Sequence, residues 1–416
     1  MARLTDDCFA FGDRLLSVED AAGLIAGRVP QPAGEELVPL LAARGRILAR
    51  DLLAPQPLPP FFNSAVDGYA FRHADLAGAA ETRLLLQGRV AAGEAAVAVL
   101  APGTARRILT GAPMPPGADT VMMQEDARLD ADAILLPPGL RRGANCRPAG
   151  EDLALGALAL PAGRRLSAPD IGLLAALGGP AVAVRPRPRI GVFSTGDELA
   201  GPGSALGPAQ TYDSNRFALL ALLAALPVEP VDLGILPDSG PATAAALRQA
   251  AGAHDMLLTS GGVSTGEEDH VRAAIEGAGR LVFWRLALKP GRPAAMGVIG
   301  GTPVLGLPGN PVAAIVTFLH LARPLALRLC GATPQPLARF AAEAGFHHRK
   351  KAGRREYLPV SLQQAVPLPR AETGPRDGAG LLSALARSDA FAELPEAATA
   401  VAPGDRITVL PFAALF

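Results

Sequence analysis

The chain is poor in aromatic residues, which make up 4% of its 416 positions and include a single Trp. Single-stranded nucleic acid is held largely by base stacking on aromatic rings, so a surface of that kind is excluded. Net charge is lacking as well, because 39 Lys and Arg balance 39 Asp and Glu. There is no basic footprint for DNA or RNA and no acidic tail, so any anion site must be local. Lysine is scarce: Lys289, Lys350 and Lys351 stand against 36 arginines. The three cysteines, Cys8, Cys146 and Cys330, are odd in number, far apart and form no CxxC pair. That excludes a disulfide framework and a zinc-finger spacing, and it fits reduced thiols in the cytosol. The six histidines fall in no metal-ligating pattern, and no Ser–His–Asp arrangement is evident. Long hydrophobic runs are missing too. The longest, Phe217–Val228, is too short to span a bilayer and reads as a buried helix. The start, MARLTDDCFAFGDRLL, carries two adjacent acids and no continuous apolar segment, so it does not read as a signal peptide.

What is present is 49% apolar residues, enough for several cores, in a length that predicts about three domains. Residues 13–29 have helical spacing, with Ser17 before Glu19 and Asp20 as the cap. A second helix is expected over 39–50. The Pro-rich crossing PQPLPPFFNSAVDGYAF marks a boundary near residue 60. Beyond it TRLLLQGRV, TARRILTG, ADTVMMQE and DAILLP read as short strands of a β-rich unit. Residues 151–186 turn helical, then extended.

From 187 the texture changes. RIGVFSTGDEL, PVEPVDLGILPDSG, HDMLLTSGGVSTG and TPVLGLPGNP are apolar strands that each run into a turn rich in Gly, Pro, Ser or Asp. Helical stretches separate them. The alternation predicts a parallel, doubly wound α/β sheet. Residues 333–416 return to short strands and predict a small barrel-like end domain.

In an open parallel sheet, ligands sit off the carboxyl ends of the strands. Four such ends carry Ser194-Thr195-Gly196-Asp197-Glu198, Asp238, the run Ser260 to Asp269, and Leu307-Pro308-Gly309-Asn310-Pro311. In the third, Ser260, Gly261, Gly262, Ser264 and Gly266 suit a backbone cradle for phosphate. The acids Glu267, Glu268 and Asp269 follow at once and would repel that phosphate. A hard divalent cation between them resolves the conflict, and Mg²⁺ is commonly held by one or two carboxylates plus phosphate oxygens. Asp238 and Asp269, with Glu198, are the metal candidates. A flexible turn followed by the acidic first turn of a helix would write the same letters. Further on, LVFWRLALKPGRP spaces Arg285 and Lys289 four apart, which on one strand puts both on one face as a second anion site, or as a solvated strand edge. Asp67, Thr110 and the pair Glu151-Asp152 sit in Gly- or Pro-rich turns, where each also serves local geometry.

Taken together, NSAVDGYA, TGAPMPPGAD, GED, FSTGDEL, YDSNR, SGGVSTGEED, FWRLALKPGRP and GLPGNPVAA resemble the MoeA-type molybdopterin molybdenumtransferases, the family that includes the gephyrin E domain. The resemblance runs in order from about residue 57 to 320 and more loosely beyond. It implies an elongated multi-domain α/β protein with four units. These are an N-terminal helical and extended domain (1–60 with 146–187), an inserted β-rich domain (61–145), a MogA-like α/β domain (188–332) and a C-terminal β-barrel (333–416). It implies insertion of molybdenum from molybdate into adenylated molybdopterin, with release of AMP and with Mg²⁺ present. It implies a cytoplasmic homodimer whose site is shared between subunits, with molybdopterin adenylyltransferase and other molybdenum-cofactor proteins as partners, and neither nucleic acid nor membrane. The functional positions carried over are Asp67, Thr110, Asp152, Glu198, Asp238, Asp269, Lys289, Pro308, Pro311 and Ser383. Two departures stand out: Arg285 replaces the family's usual Lys, and Pro359 stands where an Arg is often found, with Arg354 or Arg355 nearby as substitutes. Two rival expectations are hydrolysis of another nucleotide pyrophosphate on the same sheet, and a non-catalytic scaffold role.

Overall fold

A computed structural model describes residues 4–5, 15–94, 98–236, 240–261, 270–291, 293–374 and 382–415. The first helix, Val18–Arg28, begins with the expected cap. Asp20 N donates to Ser17 Oγ at 3.0 Å and Ser17 N donates to Asp20 Oδ2 at 3.3 Å, a reciprocal capping box. Its buried residues, Ala21 and Ile25, join the core under the long helical segment Pro311–Leu329. The helix expected over 39–50 is a single turn, Leu40–Ala43. Gly45 adopts φ +78°, which breaks it, and the chain then goes extended so that Ile47 and Leu48 bridge to Arg165 and Val184. Glu36–Pro39 pairs antiparallel with Ala181–Val184, and Leu52–Leu53 with Leu158–Leu160. Segments before 60 and after 146 thus form ladders with each other.

Between them lies a six-stranded sheet. Its order is Thr120–Met123, Gly68–Phe71, Thr104–Ile108, Thr82–Val90, Ala133–Leu136, Arg128–Asp130. All four strands expected here are present. Gly68 is required by packing, since a Cβ there would sit 1.9 Å from the Met122 carbonyl oxygen.

The central sheet runs Glu229–Leu236, Arg189–Thr195, Met256–Ser260, Thr302–Leu307, Pro293–Ile299, Gly279–Arg285. The first four strands are parallel, as the alternation predicts; Pro293–Ile299 runs antiparallel to both of its neighbours, Thr302–Leu307 and Gly279–Arg285. The sheet is therefore mixed. Gly300 (φ +57°) and Gly301 (φ +90°) explain part of the difference, because two residues at positive φ make the tight hairpin turn that reverses the chain into Thr302. Both faces are covered. Ile190, Val192, Met256, Leu258, Leu305 and Leu307 pack beneath Asn215–Ala224 and Pro311–Leu329. Phe193, Leu257 and Val304 pack beneath Gly240–Ala253 and His270–Ala278. Alternate residues of one strand serve opposite faces, which is why these strands read as unbroken apolar runs. Pro311–Leu329 is long and apolar enough to cross a membrane by length and composition, but 83% of its most apolar window is buried inside the protein. It is a core helix.

The C-terminal strands close on themselves. Arg355–Gln363 pairs with both Arg370–Thr373 and Ala390–Leu394, and Phe340–Ala344 and Arg406–Pro411 complete a five-stranded barrel. Small interior residues, among them Ala342, Ala344, Ala371, Ala390 and Ala392, let so few strands close. One piece of the central unit joins this barrel: Leu288–Lys289 pairs in parallel with Arg355 and Glu356.

Candidate functional site

Three groups of the expected residues can be located. The first lies at the carboxyl edge of the central sheet. Thr195 is level with Leu236, and Ser260 with Leu307, so four strand ends meet along one rim. A hollow of about 260 Å³ opens there, lined by Thr195, Glu198, Asn215, Ser260, Gly261 and Pro311 among others. Asn215, the first residue of its helix, ties the rim together: Nδ2 donates to Ser260 Oγ at 2.9 Å and to the Gly309 carbonyl at 2.7 Å. Ser260 Oγ in turn donates to the Pro308 carbonyl at 2.9 Å. The Gly261 amide donates to Leu307 O at 3.0 Å. The Ser260 hydroxyl proton and the Gly261 amide are therefore both spent inside the rim, and among the described residues the exposed Gly309 amide is left as its open backbone donor. Asn310 caps the helix that begins at Pro311, its side chain accepting from Ala313 N at 3.3 Å.

Glu198 is exposed at this rim and its carboxylate has no partner among the described residues. It lies back over Gly196, which adopts φ +135°; a Cβ on Gly196 would fall 2.4 Å from Glu198 Oε2. Asp213 also lines the hollow, but it is buried and held by Arg216 Nε at 2.7 Å. Arg216 bonds Asp232 as well, and that guanidinium, together with the Gly234 amide, holds the Asp232 carboxyl below its usual range despite burial, the largest effect, which pushes the other way. Asp213 is thus committed to Arg216. Asp238, Asp269, Gly262, Ser264 and Gly266 lie outside the described residues. Among the described residues no group of three His, Cys, Asp or Glu side chains comes together to hold a metal.

The second group surrounds Lys289. A hollow of about 430 Å³ is lined by Lys289, Arg349, Lys350, Lys351, Arg354 and Glu356. Every lysine of the chain is on this list. Lys289 Nζ lies 2.6 Å from Glu356 Oε1. Lys350 is buried and donates to Pro395 O at 2.7 Å and Ala398 O at 2.9 Å. Desolvation, with the nearby Lys289 and Arg354 charges, lowers its pKa, although Glu356 and Glu396 oppose this. The expectation that Arg285 and Lys289 share one strand face fails. Arg285 ends the Gly279–Arg285 strand of the central sheet, whereas Lys289 belongs to the short strand on the barrel. The chain leaves the sheet at Leu286 because Leu286 and Leu288 are buried and Ala287 N donates to Leu16 O at 2.7 Å. Of the two arginines near Pro359, Arg354 reaches the hollow. Arg355 is engaged by Glu19 at 2.8 Å and Glu396 at 3.0 Å. Pro359 itself sits within the barrel strand, opposite Phe391.

The third group is in the inserted sheet. Asp67 Oδ1 accepts from both the backbone N and the Oγ1 of Thr110, each at 2.7 Å. The backbone bond, then the hydroxyl bond, lowers the Asp67 carboxyl below its usual range. Asp152 is exposed and only its backbone is engaged, N donating to Leu58 O at 3.0 Å, while Glu151 pairs with Arg147 at 3.0 Å. Among the described residues no hydrogen bond or ion pair links this group to the other two. Ser383 is exposed on the short helix Leu382–Ala386 and lines neither hollow.

Sequence reasoning assigned no role to Asn215, Arg349, Lys350, Lys351 and Glu356, and named Arg354 only as a substitute for the missing Arg at Pro359. Asn215 stood inside YDSNR, a string with no spacing signal of its own. The basic hollow had a signal in the scarcity of lysine, since two of the three lysines are adjacent and outside any motif.

Three family profiles match the chain in order. The MoeA N-terminal region (domains I and II) matches residues 16–178, a probable molybdopterin binding domain matches 191–328, and the MoeA C-terminal region (domain IV) matches 341–412. The chain is 36% identical over 404 residues to a molybdopterin molybdenumtransferase of Haemophilus influenzae, covering 96% of this chain and 99% of that one. It is 35% identical over 406 residues to the protein of the same name from Nostoc sp., covering 95% and 93%. Among solved structures, a molybdopterin biosynthesis MoeA protein from Pyrococcus horikoshii matches with a TM-score of 0.81 at 28% identity, over 95% of this chain and 99% of that one.

Proposed function

The chain belongs to the molybdopterin molybdenumtransferase family and is a transferase of molybdenum-cofactor biosynthesis, and on that footing we propose that it inserts molybdenum from molybdate into adenylated molybdopterin and releases AMP. The observation that supports this reading is the pairing of two unlike hollows. One is a glycine-edged rim with a free carboxylate, Glu198; the other is a basic pocket around Lys289. A pyrophosphate linkage suits the first and a tetrahedral dianion suits the second.

At the rim, the exposed Gly309 amide approaches a phosphate without a Cβ in the way, and the Pro311 helix start adds positive potential. Asn215 fixes the spacing of the two glycine turns. The donor set fits Mg²⁺ in company with a phosphorylated ligand: Glu198 supplies one free carboxylate, Asp213 supplies none, and Asp238 and Asp269 follow the strand ends at Leu236 and Ser260. When bound, the ion would polarise the phosphoanhydride and balance charge as AMP leaves. Lys289 and Arg354 attract molybdate. Asp67, Thr110 and Asp152 act from a second subunit in a cytosolic homodimer, a reading supported by their lining neither hollow in one chain among the described residues. An adenylyltransferase supplies the activated pterin.

The test is incubation of purified protein with adenylated molybdopterin, Mg²⁺ and molybdate, following AMP and active cofactor together. AMP release that requires molybdate is expected, and Asp269→Ala should abolish it while leaving the fold intact. AMP release indifferent to molybdate would mean pyrophosphate hydrolysis instead, and wild-type turnover by Asp269→Ala would remove the metal role.

A further inference from the structure

We propose that Glu356 is the positioning residue for Lys289, setting the direction in which its ammonium meets an oxyanion. The proposal rests on the reading of Lys289 as an anion-binding group given above.

Register brings the two together. Lys289 is the direct partner of Glu356 in the parallel pairing between the short strand and the barrel. Leu288, beside it, is fully buried and fixes the strand in place. Glu356 is 2% exposed, whereas the Lys289 side chain is 47% exposed. The lysine is thus anchored from below and open above. Glu356 Oε1 takes Lys289 Nζ at 2.6 Å and also accepts from His348 Nε2 at 3.1 Å. A buried carboxylate is strongly unfavourable without such partners, so the contact is built in rather than incidental. An ammonium has three donors. One spent on Glu356 leaves two directed into the hollow.

The rest of the lining explains why the site needs this. Among the described residues, Glu356 is the one acid lining the hollow, and Arg349, Lys351 and Arg354 have no ion-pair partner. Without a fixed carboxylate beneath it, Lys289 would be driven from these like charges into solvent along its flexible stem. Glu356 holds it in place, while its own charge is shared with His348 and leaves the hollow basic.

The experiment follows the lysines themselves, which number three: Lys289 falls on its own peptide, and the adjacent Lys350 and Lys351 are told apart by fragmentation. Acylation rates of Lys289 and Lys351 are measured by mass spectrometry in wild type, Glu356→Ala and Glu356→Gln. Loss of the carboxylate releases the Lys289 ammonium from its tether and leaves it open to the reagent, so its labelling should rise several-fold in Glu356→Ala, with Lys351 unchanged. Glu356→Gln keeps an acceptor oxygen for both neighbours, retains the fold and should give a smaller rise. In parallel, KM for molybdate should rise about tenfold in Glu356→Ala with kcat retained, and adding Lys289→Ala should make it no worse than Lys289→Ala alone. A general structural defect would move both lysines and kcat together. Unchanged Lys289 labelling in both variants, or additive effects in the double variant, overturns the proposal. If molybdate fails to protect Lys289 in wild type, the anion reading falls, but the labelling comparison still decides the role of Glu356.

Discussion

Asn215→Ala is the sharpest test of the sheet-edge hollow. The substitution removes two hydrogen bonds, to Ser260 Oγ at 2.9 Å and to Gly309 O at 2.7 Å. They are not equal. Gly309 is exposed, so water replaces that bond at little loss, whereas Ser260 is buried and loses its donor outright. Neutral hydrogen bonds are worth about 0.5–1.5 kcal/mol each, and with the Gly309 bond counted as the smaller share the loss is about 1–2.4 kcal/mol. The helix, the strand and the Pro311 turn each keep their own backbone bonds, so the loss falls on the alignment of the rim. Binding must then restore that alignment, and the cost appears in apparent affinity. KM for adenylated molybdopterin should rise roughly 5- to 50-fold while KM for molybdate stays within about twofold, since each 1.4 kcal/mol is a factor of ten. The assay is AMP release with each substrate varied at saturation of the other, together with a melting curve to confirm folding. Unchanged affinity for the pterin nucleotide, or an equal rise for molybdate, would refute the assignment of this rim to the nucleotide.

Two further outcomes are expected. Gly196→Ala puts a Cβ 2.4 Å from Glu198 Oε2 at φ +135°, so the Glu198 carboxylate must swing away; the Mg²⁺ concentration for half-maximal AMP release should rise several-fold, and an unchanged Mg²⁺ curve would exclude Glu198 as a ligand. Burial pushes the His320 imidazole down to about 4. The unfolded chain, at about 6.5, therefore takes up a proton that the native state refuses, and stability falls as pH drops from about 6.5 towards 4, by on the order of 3 kcal/mol for this group. Urea unfolding across that range should show the slope, and His320→Gln should flatten it.

Much of this was legible in the letters. The four strand ends and their convergence followed from apolar runs meeting Gly- and Pro-rich turns, because strands buried on both faces cannot hide their pattern. Ser17 as a cap followed from Asp20 three residues on. The short helix at 40 was overread because propensity extends through residues 39–50, while the left-handed Gly45 stops it. The Arg285–Lys289 reading failed for a tertiary reason: spacing within LVFWRLALKPGRP cannot report that the chain changes sheets at Leu286, since the partner strand lies some 70 residues on. The basic hollow was hidden for the same cause. Lys289 and Lys350 are neighbours only after the barrel closes.

The crossing at 286–289 also has a mechanical meaning. At that point Leu16, Ala287 and Arg355 are stitched by backbone bonds, and Arg355 reaches on to Glu19. First helix, open sheet and closed barrel are riveted at one joint. A twist of the barrel against the sheet would shear that joint and drag the ammonium of Lys289 with it, so whatever articulates this molecule must bend somewhere else.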